Sequence, residues 1–493
     1  MLTETDTATA AQDPHHARRW QILAILGLAQ LMVVLDATIV NIALPSAQRA
    51  LHFTNDNRQW IVTAYSLSFG SLLLLGGKVS DLFGRKWTFI IGLGGFATAS
   101  AVGGAAQSFA MLTAARAFQG GFGALLAPAA LSLLTTTFTE AGERNKAFGI
   151  YGAIAGSGAS IGLLLGGVLT QYLNWRFSMY VNLVFAVAAI SGALVLLENQ
   201  APAVKPRLDL PGTLTVSAGL FAVVFGFSRA QTSSWGNTVT IAMLAAGVVL
   251  LASFGWLERR SSHPLLPLRV VSDRNRGASF LSIGIAGAAM FAVFLFLTYY
   301  LQQTRGYSPV KTGLAFLPMT ASVMIAAVLS NTRLLPRVGP RPLVTAGMLL
   351  GALGMLALTR IGLGSNYTAD ILPSLLVMGV GIGLVISSAM NTATLGVEPA
   401  DAGVASATVS AMQQVGGSLG TALLSTLAAS AATSYLAGSR PTTELIARAA
   451  VHGYTTAFGV AAGIFFAGAV IAGLLYERVP AVTAAAGQPA IAH

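Results

Sequence analysis

One carboxyl stands where an apolar chain should not hold one. The run Leu35-Asp-Ala-Thr-Ile-Val-Asn-Ile-Ala-Leu-Pro45 closes an apolar stretch that begins near Trp20, long enough to cross a bilayer as a helix. A charged carboxylate at bilayer depth costs roughly 2.5–3.5 kcal/mol even on the lenient insertion scale. Asp36 is therefore a candidate functional group, with Asn41 one turn further on. A second charge lies in the apolar stretch Met111 to Pro128, where Arg116, Gln119, Gly120 and Gly123 share one helix face. A guanidinium keeps its proton in a protein, so it must meet an acid, carbonyls or water. Asp36 is the only acid deep within any predicted span. Pairing Arg116 with it is the economical arrangement; local backbone carbonyls near one membrane surface are the alternative. Were the two to approach, burial would disfavour the charged form of Asp36 and the guanidinium would favour it. A conformational change that alters either would load or unload a proton, which is what proton coupling requires. The competing role for Asp36 is structural, accepting hydrogen bonds near a helix distortion at Pro45.

The elements that must position these groups are membrane helices. The 493 residues are 54% hydrophobic and 9% charged, with mean hydropathy +0.71, against about 25% charged residues in soluble domains. The chain has 54 glycines, which suits close helix contact in lipid. It has no cysteine, which excludes disulfides, thiolate metal sites and cysteine nucleophiles. Apolar runs predict fourteen spans, near 20–44, 59–80, 87–107, 110–134, 147–170, 177–198, 210–230, 238–258, 277–303, 310–332, 342–362, 370–395, 402–428 and 452–477. With the N-terminus inside, Lys and Arg on the inner segments outnumber those on the outer loops two to one, which supports this count with both termini cytoplasmic. The net charge of +11 thus reads as an orientation signal, not a nucleic-acid surface. No basic region and cleavage site precede an early apolar core, so no cleaved signal peptide is expected.

An echo divides the chain. Gly77-Lys-Val-Ser-Asp-Leu-Phe-Gly-Arg-Lys86 follows the second span, and Leu335-Pro-Arg-Val-Gly-Pro-Arg341 follows the tenth. Superposing Gly84 on Gly339 puts Lys86 on Arg341 and Asp81 on Pro336. Repeated halves suit a transporter with its substrate site between them. The expected layout is a tail at 1–19, a six-helix half at 20–200, a two-helix insert at 201–260, a second six-helix half at 261–478 and a tail at 479–493.

Three further stretches carry candidate roles. Asp81 and Arg85, at i and i+4 with Gly77 and Gly84 nearby, suit a latch that pairs in one state and breaks in another. One contact for it is the start of the thirteenth span near Ala402, whose dipole attracts anions; an ordinary topology-setting loop is the plainer reading. Gly158, Gly162 and Gly166, with Gly167, make a bare stripe for close packing or a pivot. For a substrate cavity, the ninth span offers Phe291 and Phe294 followed by Gln302, and the thirteenth offers Met412, Gln413 and Gln414, beside Asn41 and Gln119. Aromatics and methionines make adaptable apolar walls and amides fix orientation, although each one alone more often packs. No phosphate loop or metal-ligand spacing occurs, so neither ATP, a cofactor nor an enzyme activity is expected.

These segments resemble the major facilitator superfamily, in its fourteen-span drug/proton antiporter branch. Gly77 to Lys86 is similar to the superfamily's loop 2–3 signature, the Arg116-Gln119-Gly120 segment to its fourth-helix signature, and Leu35 to Pro45 to the first-helix signature of that branch. Trp175-Arg176 followed by Asn182 resembles the approach to the sixth helix. Leu163 stands where the antiporter signature usually has Pro, Gln413 where many relatives have Arg, and the later spans lack the acids some relatives carry. The resemblance implies a two-halved all-helical fold, proton coupling at Asp36 and Arg116, and gating at Asp81 and Arg85. The expectation is a monomeric, proton-driven exporter of drugs or antibiotics in the plasma membrane. A dedicated exporter of one endogenous metabolite, peptide or lipid, and a non-transporting sensor, are the alternatives.

Overall fold

The computed structural model describes residues 18–53, 55–198, 209–232, 235–261, 264–266, 268–398, 401–437 and 442–477. Residues 1–17, with His15 and His16, and 478–493, with Arg478, lie outside the described residues, as do Lys205, Arg207 and Arg440 and the side chains of Asn41 and Phe291. Among the described residues the structure is all helical. The first helices are α1 (Arg19–Leu51), α2 (Asn55–Phe83), α3 (Arg85–Gly104), α4 (Phe109–Thr137), α5 (Ala141–Tyr172) and α6 (Phe177–Leu196). The next are α7 (Leu210–Thr232), α8 (Thr238–Arg260) and the short α9 (Leu268–Ser272). The remainder are α10 (Arg274–Tyr299), α11 (Pro309–Leu329), α12 (Leu335–Val338), α13 (Pro340–Leu358), α14 (Leu372–Thr394), α15 (Ala402–Leu436) and α16 (Thr443–Leu475).

All fourteen apolar runs coincide with helices, but twelve helices are long and apolar enough to cross a membrane among the described residues. The apolar parts of α5 and α7, Ile161–Tyr172 and Pro211–Phe227, are shorter. Several helices outrun their apolar cores. α16 starts at Thr443 because Thr442 caps it, its hydroxyl accepting from the Leu445 amide at 3.2 Å, and Glu444 pairs with Arg448 one turn on at 2.7 Å. Polar turns such as these continue a helix beyond its apolar core. Valines such as Val184, Val187, Val195, Val248 and Val249 are exposed on α6 and α8. Apolar faces of that extent meet lipid in a membrane protein.

The helices form two groups. α1 to α6 pack on one another, and α10, α11 and α13 to α16 do likewise. α5 touches α11 and α14 across the divide, and α2 and α4 touch α15. α7 lies along α2 and α15, with α8 behind it. Leu74, Val216, Leu220, Phe254 and Ala407 share one apolar cluster there. Close approach rests on glycine: a Cβ at Gly347 would lie 2.8 Å from the Gly381 carbonyl oxygen, between α13 and α14.

The starts of α1, α5, α10 and α15 share a face with the ends of α14 and α16. Arg19 pairs with Glu143, Arg274 donates to the carbonyls of Leu474 and Leu475 at 2.8 and 2.7 Å, and Arg276 reaches the Gly396 carbonyl at 3.5 Å. We call this the terminal face. The 81–86 segment there is hardly a loop. α2 runs to Phe83, α3 begins at Arg85, and Gly84 alone, at φ 90°, turns the chain. Gly339 does the same before α13 at φ 74°, so the echo in the sequence is an echo in the backbone. Left-handed φ values of this kind favour glycine. Just before α12, residues Ser330–Leu334 form a π-helical turn. Pro336 lacks the amide hydrogen that would bond Thr332, which accounts for the local change of ladder.

Candidate functional site

Asp36 lies wholly inside the first helix group. It is 0% exposed and Arg116 1%. The Arg116 guanidinium donates from Nη1 to Asp36 Oδ2 at 2.5 Å and to Gln119 Oε1 at 2.9 Å. Asp36 Oδ1 accepts from Gln119 Nε2 at 3.1 Å and from Asn182 Nδ2 at 2.7 Å. Ser100 Oγ accepts from the same two amides, at 2.5 Å from Gln119 and 3.2 Å from Asn182. The Tyr65 ring covers the guanidinium, 4.3 Å from its centroid. Five helices thus contribute: α1, α2, α3, α4 and α6. The expected pairing of Arg116 with Asp36 is present, and backbone carbonyls are not its chief partners.

The sequence builds this arrangement through spacing and small residues. Arg116 and Gln119, three apart on α4, face α1 together. Gly120 and Gly123, on the same face, admit α2: a Cβ at Gly120 would come 3.0 Å from the Phe69 amide and at Gly123 3.0 Å from the Phe69 ring. That approach lays Tyr65 over Arg116. On α3, a Cβ at Gly103 would stand 3.1 Å from the Met179 sulfur of α6, so Ser100 and Asn182 meet behind Asp36. A buried pair of charges requires such additional hydrogen bonds to offset lost hydration. Gln119 corrects the expectation of a cavity-lining amide: it is 0% exposed and all its partners belong to this network. Asn182, Ser100 and Tyr65 were not expected. An asparagine inside the apolar sixth span was the available signal for Asn182; Ser100 and Tyr65 carry none.

The terminal face holds two further polar assemblies. In the first, Asp81 lies 3.9 Å from Arg85, and a Cβ at Gly403 would be 2.6 Å from Asp81 Oδ1. A Cβ at Gly77 would be 2.6 Å from the Gly403 carbonyl oxygen. Asp81 therefore meets the start of α15, as expected. Lys86 reaches back to the end of α6, donating to the carbonyls of Leu194 and Leu197 at 3.2 and 2.5 Å, where a cation suits the helix C-terminus. Arg269 of α9 joins Asp401 at 2.8 Å and Glu398 at 3.1 Å. The hydrogen bond it donates to Asp401 first, then the charges of both carboxylates, strengthen its hold on its proton. In the second assembly Arg144 of α5 donates to Asn391 Oδ1 at 3.2 Å and Thr394 Oγ1 at 2.8 Å on α14. Asn391 donates to Asn145 at 2.6 Å and to Asn331 at 3.1 Å. These bonds join the two helix groups.

The remaining candidates do not converge on one surface. Phe294 packs against Phe316 of α11, ring centroids 5.1 Å apart. Gln302 sits in the π-helical turn Tyr300–Thr304 at the far end of α10, away from the membrane middle. Met412 meets the Gly284 position of α10, the Gln413 backbone meets Gly287, and Gln414 faces Gly70 of α2 with Val224 of α7 beside it. Three consecutive helical residues point about 100° apart, so the three meet different neighbours. The glycine stripe packs α5 on α1, inside one group: a Cβ at Gly158 would meet Val34 at 2.7 Å, at Gly162 the Leu35 carbonyl at 3.1 Å, and at Gly166 Ile39 at 2.7 Å. Gly167 is buried beside it.

Comparison with known proteins agrees with this architecture. The chain is 48% identical over 472 residues to the puromycin resistance protein pur8 of Streptomyces alboniger, covering 95% of this chain and 93% of that one. It is 36% identical to the cephamycin export protein CmcT of Amycolatopsis lactamdurans, covering 87% and 86%. The human organic anion transporter MFSD10 shares the fold, with a TM-score of 0.63 at 16% identity over 94% of this chain and all of that one. Residues 26–421 match the model of a family of membrane transporters, not enzymes. By that match and by these relatives, the chain belongs to the Major Facilitator Superfamily.

Proposed function

We propose that this protein exports amphipathic organic compounds, drugs or antibiotics among them, in exchange for protons. The observation that carries the reading is the buried Asp36–Arg116 pair, a fully buried carboxyl held by donors whose geometry a helix movement would alter. The two helix groups would rock about the cleft between them, exposing it to each side in turn. Relatives named for antibiotic resistance and export support the direction and the cargo class. Asp81 and Arg85, with Gly77 and Gly84, would close the terminal face in one state and release it in the other. The distribution of basic residues and the shared face of the α1 start and α16 end support cytoplasmic termini. Counting α5 and α7 gives fourteen spans, divided into halves at 20–200 and 261–478 with the insert between, in a monomer in the plasma membrane. A dedicated exporter of one compound is the second reading, favoured by relatives named for single antibiotics.

The test is transport in inverted membrane vesicles. Moving one charge across 100 mV supplies about 2.3 kcal/mol, enough for a gradient of uncharged cargo of about fifty-fold. Wild type should accumulate cargo against its gradient and lose it on adding an uncoupler; Asp36→Asn should exchange cargo without accumulating it. Uphill accumulation by Asp36→Asn would overturn the assignment. A broad against a single-compound resistance profile separates the two readings.

A further inference from the structure

We infer that Asn182 is the positioning residue that lets Asp36 hold a proton, by turning its side-chain amide end for end. The inference rests on the proposed role of Asp36. As a carboxylate, Asp36 needs only donors, and it has three: Arg116 at Oδ2, Gln119 and Asn182 at Oδ1. As a carboxylic acid it must also donate, and among the described residues each of these three bonds is one it accepts. Arg116 has no acceptor to offer. The Gln119 carbonyl oxygen is held by Arg116 and its amide nitrogen by Ser100, so that side chain is fixed at both ends. Asn182 is different. It is 1% exposed, and its Oδ1 is buried without a hydrogen-bond partner.

A half-turn about the Asn182 Cβ–Cγ bond exchanges donor for acceptor at Asp36. The arriving proton forms the Oδ1–H bond of Asp36, which donates to Asn182 Oδ1. The Ser100 hydroxyl, an acceptor from Asn182 in the carboxylate state, can then donate to the same oxygen. Release of the proton reverses both turns, and no other bond is made or broken. The ionisable and aromatic groups facing this carboxyl, Arg116 and Tyr65, stay in place.

The experiment is the pH profile of uphill export in proteoliposomes for wild type, Asn182→Ala and Asn182→Asp. Asn182→Asp puts an acceptor permanently at Asp36 and should hold the proton to higher pH, shifting the half-maximal point upward by about one unit, a tenfold change in proton affinity. Asn182→Ala should slow export about tenfold without that upward shift. Profiles of both variants that superimpose on wild type overturn the inference. Asp36→Asn measured alongside separates the two levels: its uphill export would sink the coupling site itself, whereas its failure with unmoved Asn182 profiles sinks only the amide. Difference infrared spectra of wild type on a pH jump need no variant. A carboxyl band rising together with a shifted side-chain amide band is expected; a carboxyl band without the amide shift overturns the inference.

Discussion

Removing either partner of the buried ion pair should not cost the same. Asp36→Leu leaves the Arg116 guanidinium in a wholly buried site, with the Gln119 carbonyl at 2.9 Å and the Tyr65 ring for company. The guanidinium cannot shed its charge, and stranding one partner of a buried pair costs about 3–5 kcal/mol. Arg116→Leu leaves a carboxyl that escapes by taking a proton. Its cost then reduces to the charge-assisted hydrogen bond to Asp36, about 1.5–3 kcal/mol, plus the bond to Gln119, about 0.5–1.5 kcal/mol. The double variant strands neither charge, so its loss should fall well below the sum of the singles. The assay is the half-life of the folded protein in detergent at one temperature, for wild type, both singles and the double. A difference of about 1 kcal/mol between the singles, if fully expressed in the unfolding barrier, is about five-fold in half-life. Lowering the pH should narrow the gap between Arg116→Leu and wild type and leave Asp36→Leu where it was. Equal single losses that add in the double would refute the reasoning, because they would mean that the two groups do not depend on each other.

Other outcomes follow from the packing and from the terminal face. Gly162→Ala should destabilise more than Gly158→Ala, because its methyl meets the α1 backbone at Leu35 while the other meets the Val34 side chain; overpacking of that kind costs about 1–3 kcal/mol, and thermal unfolding in detergent ranks the pair. Gly84→Ala and Gly339→Ala should each lose about 1–3 kcal/mol, because positive φ with extended ψ is a region that glycine adopts freely and alanine does not, and equal thermal losses would mark the two turns as equivalent. Arg144→Gln removes the bonds to Asn391 and Thr394 and should raise thiol labelling of cysteines introduced along the terminal ends of α5 and α14. The natural chain has no cysteine to interfere, and unchanged labelling would mean that this cluster does not hold the groups together.

The ion pair was legible because the chain offers a single deep acid and a single deep base; elimination does the work that geometry would otherwise do. The shell around it was not. Serine and tyrosine are frequent in membrane helices, and nothing in their spacing distinguishes Ser100 or Tyr65 from their neighbours. The 81–86 segment reads as a loop because Asp81, Arg85 and Lys86 are charged, yet helix runs up to Phe83 and resumes at Arg85, with Gly84 alone between. Glycine periodicity gave the stripe on α5 without giving its partner, since a bare face says how closely a helix can approach but not which helix will. Aromatics and amides chosen for a cavity scattered over α10 and α15 for the same reason. In lipid, a side chain's type does not separate facing the bilayer, packing on a neighbour and facing cargo.

α5 has a place in the molecule that its stripe alone did not indicate. One side is pressed on α1 at Leu35, the residue next to Asp36, and the other on α11, where a Cβ at Gly149 would meet Val328 at 3.2 Å and one at Gly313 would meet Leu164 at 2.8 Å. It is a single beam held between the charged pocket and the opposite bundle. A tilt of that bundle would press on the turn carrying Asp36 through this beam, as it would on Arg116 and Tyr65 through the contacts of α4 and α2 with α15. Under the proposed proton coupling, proton and cargo would not have to touch the same atoms for one to drive the other.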